Sequence, residues 1–273
     1  MDTKGAALVT GASSGIGSAI AVALQRDGYQ SYGGARRVER MEQLRNHGVR
    51  PLKLDVTDET SMQDAVSQIH EEVGRITVLV NNAGYGLYGA LEEVPMSEAR
   101  HEMEVNLFGL ARLTQMVLPE MRQARHGSII NISSVGGKFG EPFGAWYHAS
   151  KYAVEGLSDS LALEMAPFGV KVVTIEPGGI RSEWSEIAAD NLLKTSGQGD
   201  YGAEANKAAQ RMRDFYETKL AGSPEQVAQG VVKVLHRRSP NFRYAVAGGA
   251  KPLMLLRKLT TDRLFYAIYR RIA

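Results

Sequence analysis

The sequence predicts an α/β fold in which a doubly wound parallel sheet is covered by helices on both faces. Short apolar, β-branched runs alternate with helical segments through most of the chain, a pattern typical of repeated strand–helix units. A glycine-rich turn follows the first run and opens the first helix. No linker or low-complexity tract interrupts the alternation, so residues 1–273 are predicted to form a single domain.

The predicted elements follow one another in a regular order. The first strand, AALVT at 6–10, leads through the glycine turn to an amphipathic helix that ends at Gly28. The strand QSYGGAR is followed by a charged helix, VERMEQLRNHG, and the strand PLKLDVTD by the helix SMQDAVSQIHEEVG. The strand ITVLVNNAG precedes a helical stretch at 97–125, and SIINISS precedes the helix that contains AWYHASKYAVEG. A sixth strand, VKVVTIEPG, comes next.

The pattern loosens after the sixth strand. Residues 182–221 are polar and helix-prone, and insertions at this place in α/β folds usually line the ligand pocket, so we expect a substrate loop or lid there. A helix is predicted at GSPEQVAQGVVKVL, and SPNFRYAVAGGAK contains a run that could close the sheet. The segment from about 240 to 273 is basic and apolar. We expect it to cover the pocket or a subunit interface, with contact to a membrane surface as the alternative.

Composition excludes several classes of protein. The formal charge of +2, from 32 basic and 30 acidic residues, argues against nucleic-acid binding through bulk charge. There is no cysteine, which excludes disulfides and thiolate chemistry, and the six histidines lack ligand spacing, so no metal site is expected. No signal peptide is apparent, and no apolar run approaches the ~18 residues of a membrane span, so we expect a cytoplasmic protein.

The glycine-rich turn predicts a phosphate site. LVTGASSGIG places Gly11, Gly15 and Gly17 between the first strand and the first helix, with spacing G-x-x-x-G-x-G instead of the usual G-x-G-x-x-G. Glycines allow the backbone to approach a ligand closely, and the positive end of the helix attracts a pyrophosphate. The turn therefore indicates a dinucleotide cofactor.

The end of the second strand distinguishes NAD from NADP. An NAD site places a carboxylate there for the ribose 2′-hydroxyl, whereas arginine suits a 2′-phosphate. The sequence GGARRVER has Ala35 at this position, followed by Arg36 and Arg37. A guanidinium can bind a phosphate through two hydrogen bonds, so NADP(H) is predicted to be preferred over NAD(H).

Tyr147 and Lys151 are four residues apart on a predicted helix, and therefore share one face. From that spacing alone, the two residues could be a solvated surface pair, or a proton donor beside a cation that changes the donor's pKa.

The signatures TGASSGIG, LDVTD, NNAG, VNLFG, NISSVGG, YHASK and EPGG occur in this order and together resemble the short-chain dehydrogenase/reductase family. The resemblance covers roughly residues 5–182. It implies a Rossmann-like fold, hydride transfer between NAD(P) and a ketone, aldehyde or secondary alcohol, and a homo-oligomer. The GSPEQVAQGVVKVL helix and the tail are similar, less specifically, to the branch that includes 17-beta-hydroxysteroid dehydrogenases.

The resemblance implies four active-site residues. Tyr147 matches the family's proton donor, and Lys151 matches the neighbouring cation that also holds the nicotinamide ribose. Ser134 matches the residue that polarises the substrate carbonyl, and Asn106 matches the residue that supports a relay water. A free tyrosine titrates near 10, so a pKa of about 7 requires roughly 4 kcal/mol of preferential stabilisation of the phenolate. Lys151 and the oxidised nicotinamide ring are expected to supply it.

The cofactor-binding residues implied by the resemblance and the turn lie at the carboxyl ends of the predicted strands. Ser182 is expected to replace the family's threonine at the nicotinamide carboxamide, and Asn81 to support the sheet. The full set is Gly11, Ser13, Ser14, Gly15, Ile16, Gly17, Arg36, Arg37, Asp55, Val56, Asn82, Ala83, Gly84, Tyr147, Lys151, Pro177, Gly178, Ile180 and Ser182.

These observations predict an NADPH-preferring carbonyl reductase that could also run as an alcohol dehydrogenase. Aromatic residues in the pocket-forming segments would suit a bulky apolar substrate; they are Phe139, Phe143, Trp146, Trp184, Phe215 and Tyr216. His148 is expected to contribute at most indirectly. The alternative is a cofactor-binding regulatory or scaffold protein without turnover, against which the complete set of active-site residues argues.

Overall fold

The computed structural model describes residues 4–272 and confirms the predicted sheet. Seven parallel strands lie in the order β3-β2-β1-β4-β5-β6-β7, so the strand order reverses between β1 and β4, where such sheets bind ligands. The predicted domain ends, residues 1–3 and 273, lie outside the described residues. The strands are β1 (Ala6–Thr10), β2 (Gln30–Ala35), β3 (Arg50–Lys53), β4 (Ile76–Asn81), β5 (Gly127–Ile132), β6 (Val170–Pro177) and β7 (Arg243–Val246).

Helices cover both faces of the sheet, because each face of the strands is apolar. One layer contains α1 and α8, which pack over residues such as Val9, Val80 and Ile175. The other contains α2, α4 and α5, which pack over residues such as Leu8 and Leu79. The helices are α1 (Gly15–Arg26), α2 (Glu59–Val73), α3 (Met96–Met103), α4 (Gly109–Ala124), α5 (Ala145–Met165), α6 (Glu183–Ser196), α7 (Gly202–Glu217), α8 (Pro224–Leu235), α9 (Ala250–Leu259) and α10 (Asp262–Ile272).

Two predicted helices have a different local form. Val38–His47 is a 3₁₀ helix, in which the buried Met41 and Leu44, three residues apart, lie on the same side. The stretch predicted at 97–125 is divided by a π-helical turn at Glu104–Phe108, which separates α3 from α4. Such turns often occur at functional sites because they redirect the side chains that they carry.

The segment at 182–221 forms two helices, α6 and α7, which pack against each other beside the carboxyl ends of the strands through Ala188, Ala189 and Ala205. The run predicted to close the sheet is β7, which pairs with β6 at the edge. Within residues 4–272, none of the helices has the length and apolar character that crossing a bilayer requires.

Candidate active site

The glycine turn leaves the first helix open to an anion. Gly15 has φ +53°, a left-handed conformation that glycine adopts without strain. Ser14 occupies the N-cap position without a side-chain cap, and the first turn of α1 carries no acidic residue. The N–H groups of this turn therefore suit a pyrophosphate, and the half-buried Ser13 and Ile16 flank them.

Asn82 holds the turn in place from the neighbouring strand. Its Nδ2 donates to the carbonyl oxygens of Thr10 (2.9 Å) and Gly11 (3.3 Å). A Cβ on Gly17 would lie 2.4 Å from the Gly11 oxygen, so only glycine fits there. Asn82 is thus a positioning residue for the phosphate turn. Ala83 contributes in the same way, since its N–H donates to the Thr10 hydroxyl at 2.9 Å.

Arg36 and Arg37 follow β2 directly and are exposed. Neither forms an ion pair with another residue of the described range 4–272. Asp55 lies near Arg36; burial raises the pKa of Asp55, but hydrogen bonds from the Thr57 N–H and hydroxyl, together with Arg36, hold it below its usual value. The two guanidinium groups therefore remain available to an anion at the edge of the cofactor site.

Pro177, Gly178, Ile180 and Ser182 form the loop after β6, on the opposite side of the cleft. A Cβ on Gly178 would lie 2.0 Å from the Gly248 oxygen, so the loop passes close to the backbone that follows β7. Ile180 is buried, and the Ser182 hydroxyl donates to its carbonyl oxygen at 3.4 Å. Ser182 also approaches the glycine turn, since a Cβ on Gly15 would lie 3.2 Å from the Ser182 Cβ.

Tyr147 lies in the first turns of α5 and is only 7% exposed. Two aromatic rings cover it: the Trp184 ring centroid lies 5.2 Å away and the Tyr88 centroid 5.7 Å away. Ser134, which follows β5, accepts a hydrogen bond from the Gly136 N–H at 3.0 Å and also faces the phenol. The phenol therefore lies beside the hydroxyl predicted to bind the substrate oxygen, under an aromatic cover.

Lys151 lies one turn further along α5 and is buried. Its Nζ donates to the Ile132 carbonyl oxygen at 3.0 Å and lies 6.0 Å from the Tyr147 ring centroid. Burial lowers the pKa of Lys151 to about 8, although Glu102 and Glu155 oppose the shift. The structure thus brings Ser134, Tyr147 and Lys151 together, and the four-residue spacing is not that of a solvated surface pair.

The pKa expected for Tyr147 is not produced by the residues of this chain. Burial raises the pKa of Tyr147, and the opposing influence comes from Ser134 instead of Lys151. The hydrogen bond of the Lys151 ammonium goes to the Ile132 carbonyl oxygen, and Nζ lies 6.0 Å from the centre of the Tyr147 ring. The phenol is therefore protonated at neutral pH, and a protonated phenol can act as a proton donor.

Asn106 lies in the π-helical turn and is almost fully buried. Its Nδ2 donates to the Tyr85 carbonyl oxygen (2.9 Å) and the Ser150 hydroxyl (3.0 Å), and its Oδ1 accepts from the Tyr85 N–H (3.1 Å). Both amide hydrogens therefore have protein acceptors. A Cβ on Gly84 would lie 2.9 Å from Asn106 Oδ1 and 3.8 Å from Lys151 Nζ, so a glycine keeps this space open between them.

Glu102 was not predicted from the sequence, because its position four residues before Asn106 does not distinguish it from an ordinary exposed helical acid. The residue is 0% exposed. Its Oε1 accepts from the Leu87 N–H at 2.9 Å and from Asn106 Nδ2 at 3.4 Å, while its Oε2 has no partner among the described residues. Burial raises the pKa of Glu102 to about 7, against the effects of Leu87 and Lys151.

His148 supports the loop between Ser134 and Tyr147. Its Nδ1 lies 2.8 Å from the Gly136 carbonyl oxygen, and the Glu141 N–H donates to its Nε2 at 3.1 Å. This pattern requires a neutral ring with its proton on Nδ1. His148 therefore holds the loop residues around Ser134 through its two ring nitrogens.

The predicted aromatic residues divide into two groups. Trp184 and Phe143 pack with Tyr147 and the equally aromatic Tyr88, which the sequence did not indicate. Phe143 has φ +67°, an uncommon conformation for a bulky residue, and its carbonyl oxygen accepts from the Gly89 N–H at 2.8 Å. The remaining predicted residues are not in this cluster: Phe139 packs against α10, Trp146 lies near Leu87, and Phe215 and Tyr216 pack against each other.

The other predicted positions support this arrangement. Val56 is buried in the core beside Gly109, and Asn81 donates to Thr114 (2.9 Å) and Asn131 (2.9 Å), linking β4 to α4 and β5. In residues 4–272, no group of three or more potential ligands could hold a metal ion.

Comparison with known proteins agrees with this geometry. The profile of the short chain dehydrogenase family matches residues 5–192. The chain is 38% identical to a 3-ketodihydrosphingosine reductase of Bacteroides thetaiotaomicron, over 96% of this chain and 97% of that protein. It is 34% identical to an NADPH-dependent 3-dehydrocapnine reductase of Ornithobacterium rhinotracheale, over 97% and 98%.

A solved structure extends the likeness to three dimensions. The crystal structure of a short-chain dehydrogenase from Streptomyces avermitilis superposes with a TM-score of 0.82 at 33% identity, covering 100% of this chain and 98% of that one. The chain belongs to the short-chain dehydrogenase/reductase family, whose members are oxidoreductases that use a nicotinamide cofactor.

Proposed function

We propose that this protein catalyses the NADPH-dependent reduction of a ketone or aldehyde on a bulky apolar compound. The observation that carries the proposal is the buried group of Ser134, Tyr147 and Lys151 at the carboxyl ends of the central strands, next to the glycine turn. The nicotinamide, when bound, supplies the hydride. All other steps belong to residues of the chain.

The proton comes from Tyr147. Because its pKa is raised by burial, the phenol is protonated at neutral pH and can donate to the oxygen that receives negative charge. The Ser134 hydroxyl binds the same oxygen and stabilises the developing charge. Lys151 supplies a cation close to the phenol as it becomes a phenolate. Asn106 donates to the Tyr85 carbonyl oxygen and to the Ser150 hydroxyl, which in turn donates to the Tyr147 backbone carbonyl.

The preference for NADPH rests on Arg36 and Arg37. They are exposed directly after β2, where a carboxylate would repel a 2′-phosphate, and the sequence has Ala35 at the corresponding place. The NADPH-dependent relative from Ornithobacterium supports the same choice.

The apolar substrate is supported by the surroundings of Tyr147. A cavity of about 460 Å³ borders Phe143, which packs with Tyr147; its other lining residues are Ala90, Leu91, Pro142 and Tyr201, with the charged Glu204 and Arg211. Two relatives are named for ketone reduction, the 3-ketodihydrosphingosine reductase and the 3-dehydrocapnine reductase. We further propose that 182–221 acts as the lid, because Trp184 of α6 covers the phenol.

The test is NADPH consumption with a panel of ketones that differ in alkyl chain length, measured with NADPH and then with NADH. The proposal expects turnover that increases with chain length and a clear preference for NADPH. A protein that binds NADPH but consumes none with any ketone or aldehyde would contradict it and favour the regulatory alternative. A preference for NADH would overturn the cofactor assignment alone.

A further inference from the structure

The last two helices have an outer face that is both apolar and basic. Leu255, Leu259 and Leu264 are 57%, 73% and 51% exposed. Basic side chains lie on the same side of each helix: Lys251 and Lys258 are four and three residues from Leu255, and Arg271 is seven residues from Leu264. We name this surface the C-terminal helical face; it consists of Lys251, Leu255, Lys258, Leu259, Arg263, Leu264, Arg270 and Arg271.

Positive charge is concentrated in this part of the chain. Residues 250–272 contain six basic side chains and a single acidic one, Asp262, whereas the formal charge of the whole chain is only +2. Asp262 is exposed and pairs with the half-buried Arg257 at 2.7 Å. The five basic residues of the C-terminal helical face form no ion pair within the described range. Because residues 250–272 carry a larger positive excess than the whole chain, the remaining residues are together net negative.

The inner side of the same helices is fixed to the active-site loop. Phe265 is fully buried and its ring lies 5.4 Å from that of Phe139. The Gly140 N–H donates to the Tyr266 hydroxyl at 3.0 Å, and the Tyr269 hydroxyl donates to Glu141. This loop connects Ser134 to Tyr147. The helices are thus held firmly from inside, so the exposure of the leucines does not arise from loose packing.

We propose that the C-terminal helical face docks on an anionic lipid bilayer. Leucines flanked by lysine and arginine are the pattern of helices that lie in the plane of a membrane interface, where the apolar side chains enter the acyl boundary and the cations contact headgroups. A second copy of the chain fits less well, because a symmetric contact through this face would bring like charges together. Nucleic acid would satisfy the cations but leave the leucines in water.

The C-terminal helical face lies near the cavity that borders Phe143. The Tyr269 hydroxyl of α10 donates to Glu141, and the next residue, Pro142, lines the cavity. The cavity and α10 are therefore neighbours. A bilayer bound to the C-terminal helical face lies close to the cavity beside Phe143, so an apolar substrate could pass from lipid to the site over a short path.

The test measures how much of the full chain sediments with lipid vesicles of two compositions. One is pure phosphatidylcholine, and the other is phosphatidylcholine mixed about two to one with phosphatidylglycerol. The wild type is expected to sediment with the anionic vesicles, to remain in solution with neutral ones, and to be released by salt. Replacing Lys251, Lys258 and Arg263 by glutamate is expected to weaken binding at least about a hundredfold, since each cation contributes about fivefold.

A second variant tests the apolar contribution. Leu255→Ser, Leu259→Ser and Leu264→Ser together are expected to reduce binding by about tenfold or more without changing its salt dependence. The matched control reverses three exposed charges elsewhere, Arg75, Lys233 and Arg238, and is expected to bind like the wild type. Thermal melting and NADPH consumption with a water-soluble ketone report folding and the proposed reaction separately from docking.

Three results would overturn the proposal. The wild type could fail to bind anionic vesicles, or bind neutral ones equally well. The control variant could lose as much binding as the variant of the C-terminal helical face. The leucine variant could elute as a smaller species on size exclusion with unchanged vesicle binding, which would make the surface a contact between copies of this chain.

Discussion

Glu102 imposes a pH dependence on the stability of the folded protein that a single substitution should remove. The carboxyl is fully buried, and its pKa is raised from 4.5 to about 7. At one pH unit per 1.36 kcal/mol, this difference corresponds to about 3 kcal/mol. The folded state therefore holds a proton on Glu102 over a pH range in which the unfolded chain has already released it.

The sign follows from the proton balance. Below pH 4.5 both states are protonated and Glu102 has no effect on stability. As the pH rises towards 7 the unfolded chain binds fewer protons than the folded protein, so the free energy of unfolding falls, and above pH 7 the full cost of about 3 kcal/mol applies. For a chain of this size that is a decrease in Tm of roughly 5–10 °C.

Glu102→Gln removes the ionisable group and keeps an oxygen that can accept from the Leu87 N–H. Denaturant unfolding of wild type and variant from about pH 4 to about pH 8 should give a difference in stability that shifts by about 3 kcal/mol in favour of the variant as the pH rises. The matched control is Glu104→Gln, because Glu104 is exposed on the same helical segment. Parallel pH profiles for wild type and Glu102→Gln would refute the reasoning.

Three further predictions concern the cofactor site and the aromatic cover. Replacing Arg36 and Arg37 by alanine should raise the KM for NADPH about tenfold to a hundredfold and leave that for NADH nearly unchanged; equal effects on both cofactors would contradict the assignment. Gly17→Ala should lower the free energy of unfolding by about 1–3 kcal/mol, because its Cβ would lie 2.4 Å from a backbone oxygen; an unchanged Tm would contradict this. Trp184→Ala should let water reach Tyr147 and move the basic limb of the kcat profile to lower pH, whereas an unmoved limb would show that burial does not set the pKa of the phenol.

The sheet and the positions of the reactive groups could be predicted because local patterns encode them. The strand–helix alternation gives the parallel order, and the glycine turn after β1 marks the switch point. The spacing of Tyr147 and Lys151 requires only helical geometry. Ser134 needed the resemblance, since two adjacent serines fit a strand end equally well.

Other features depend on contacts that no local pattern contains. Glu102 becomes an unusual acid only because the Leu87 loop and α5 close around it, and the sequence around it reads as an ordinary polar helix. The covering of Tyr147 by Tyr88 and Trp184 joins segments about 40 to 60 residues apart along the chain. The raised pKa of Tyr147 in the chain alone follows from that burial, and the lowered value expected with the oxidised nicotinamide bound stays a prediction.

The most direct test of the account is the effect of Tyr147→Phe on NADPH consumption with a long-chain ketone. Removing one hydroxyl should keep the packing under Trp184 and leave NADPH binding within about twofold, while kcat falls by about a hundredfold or more because the proton donor is lost. An unchanged kcat would contradict the central claim that Tyr147 donates the proton.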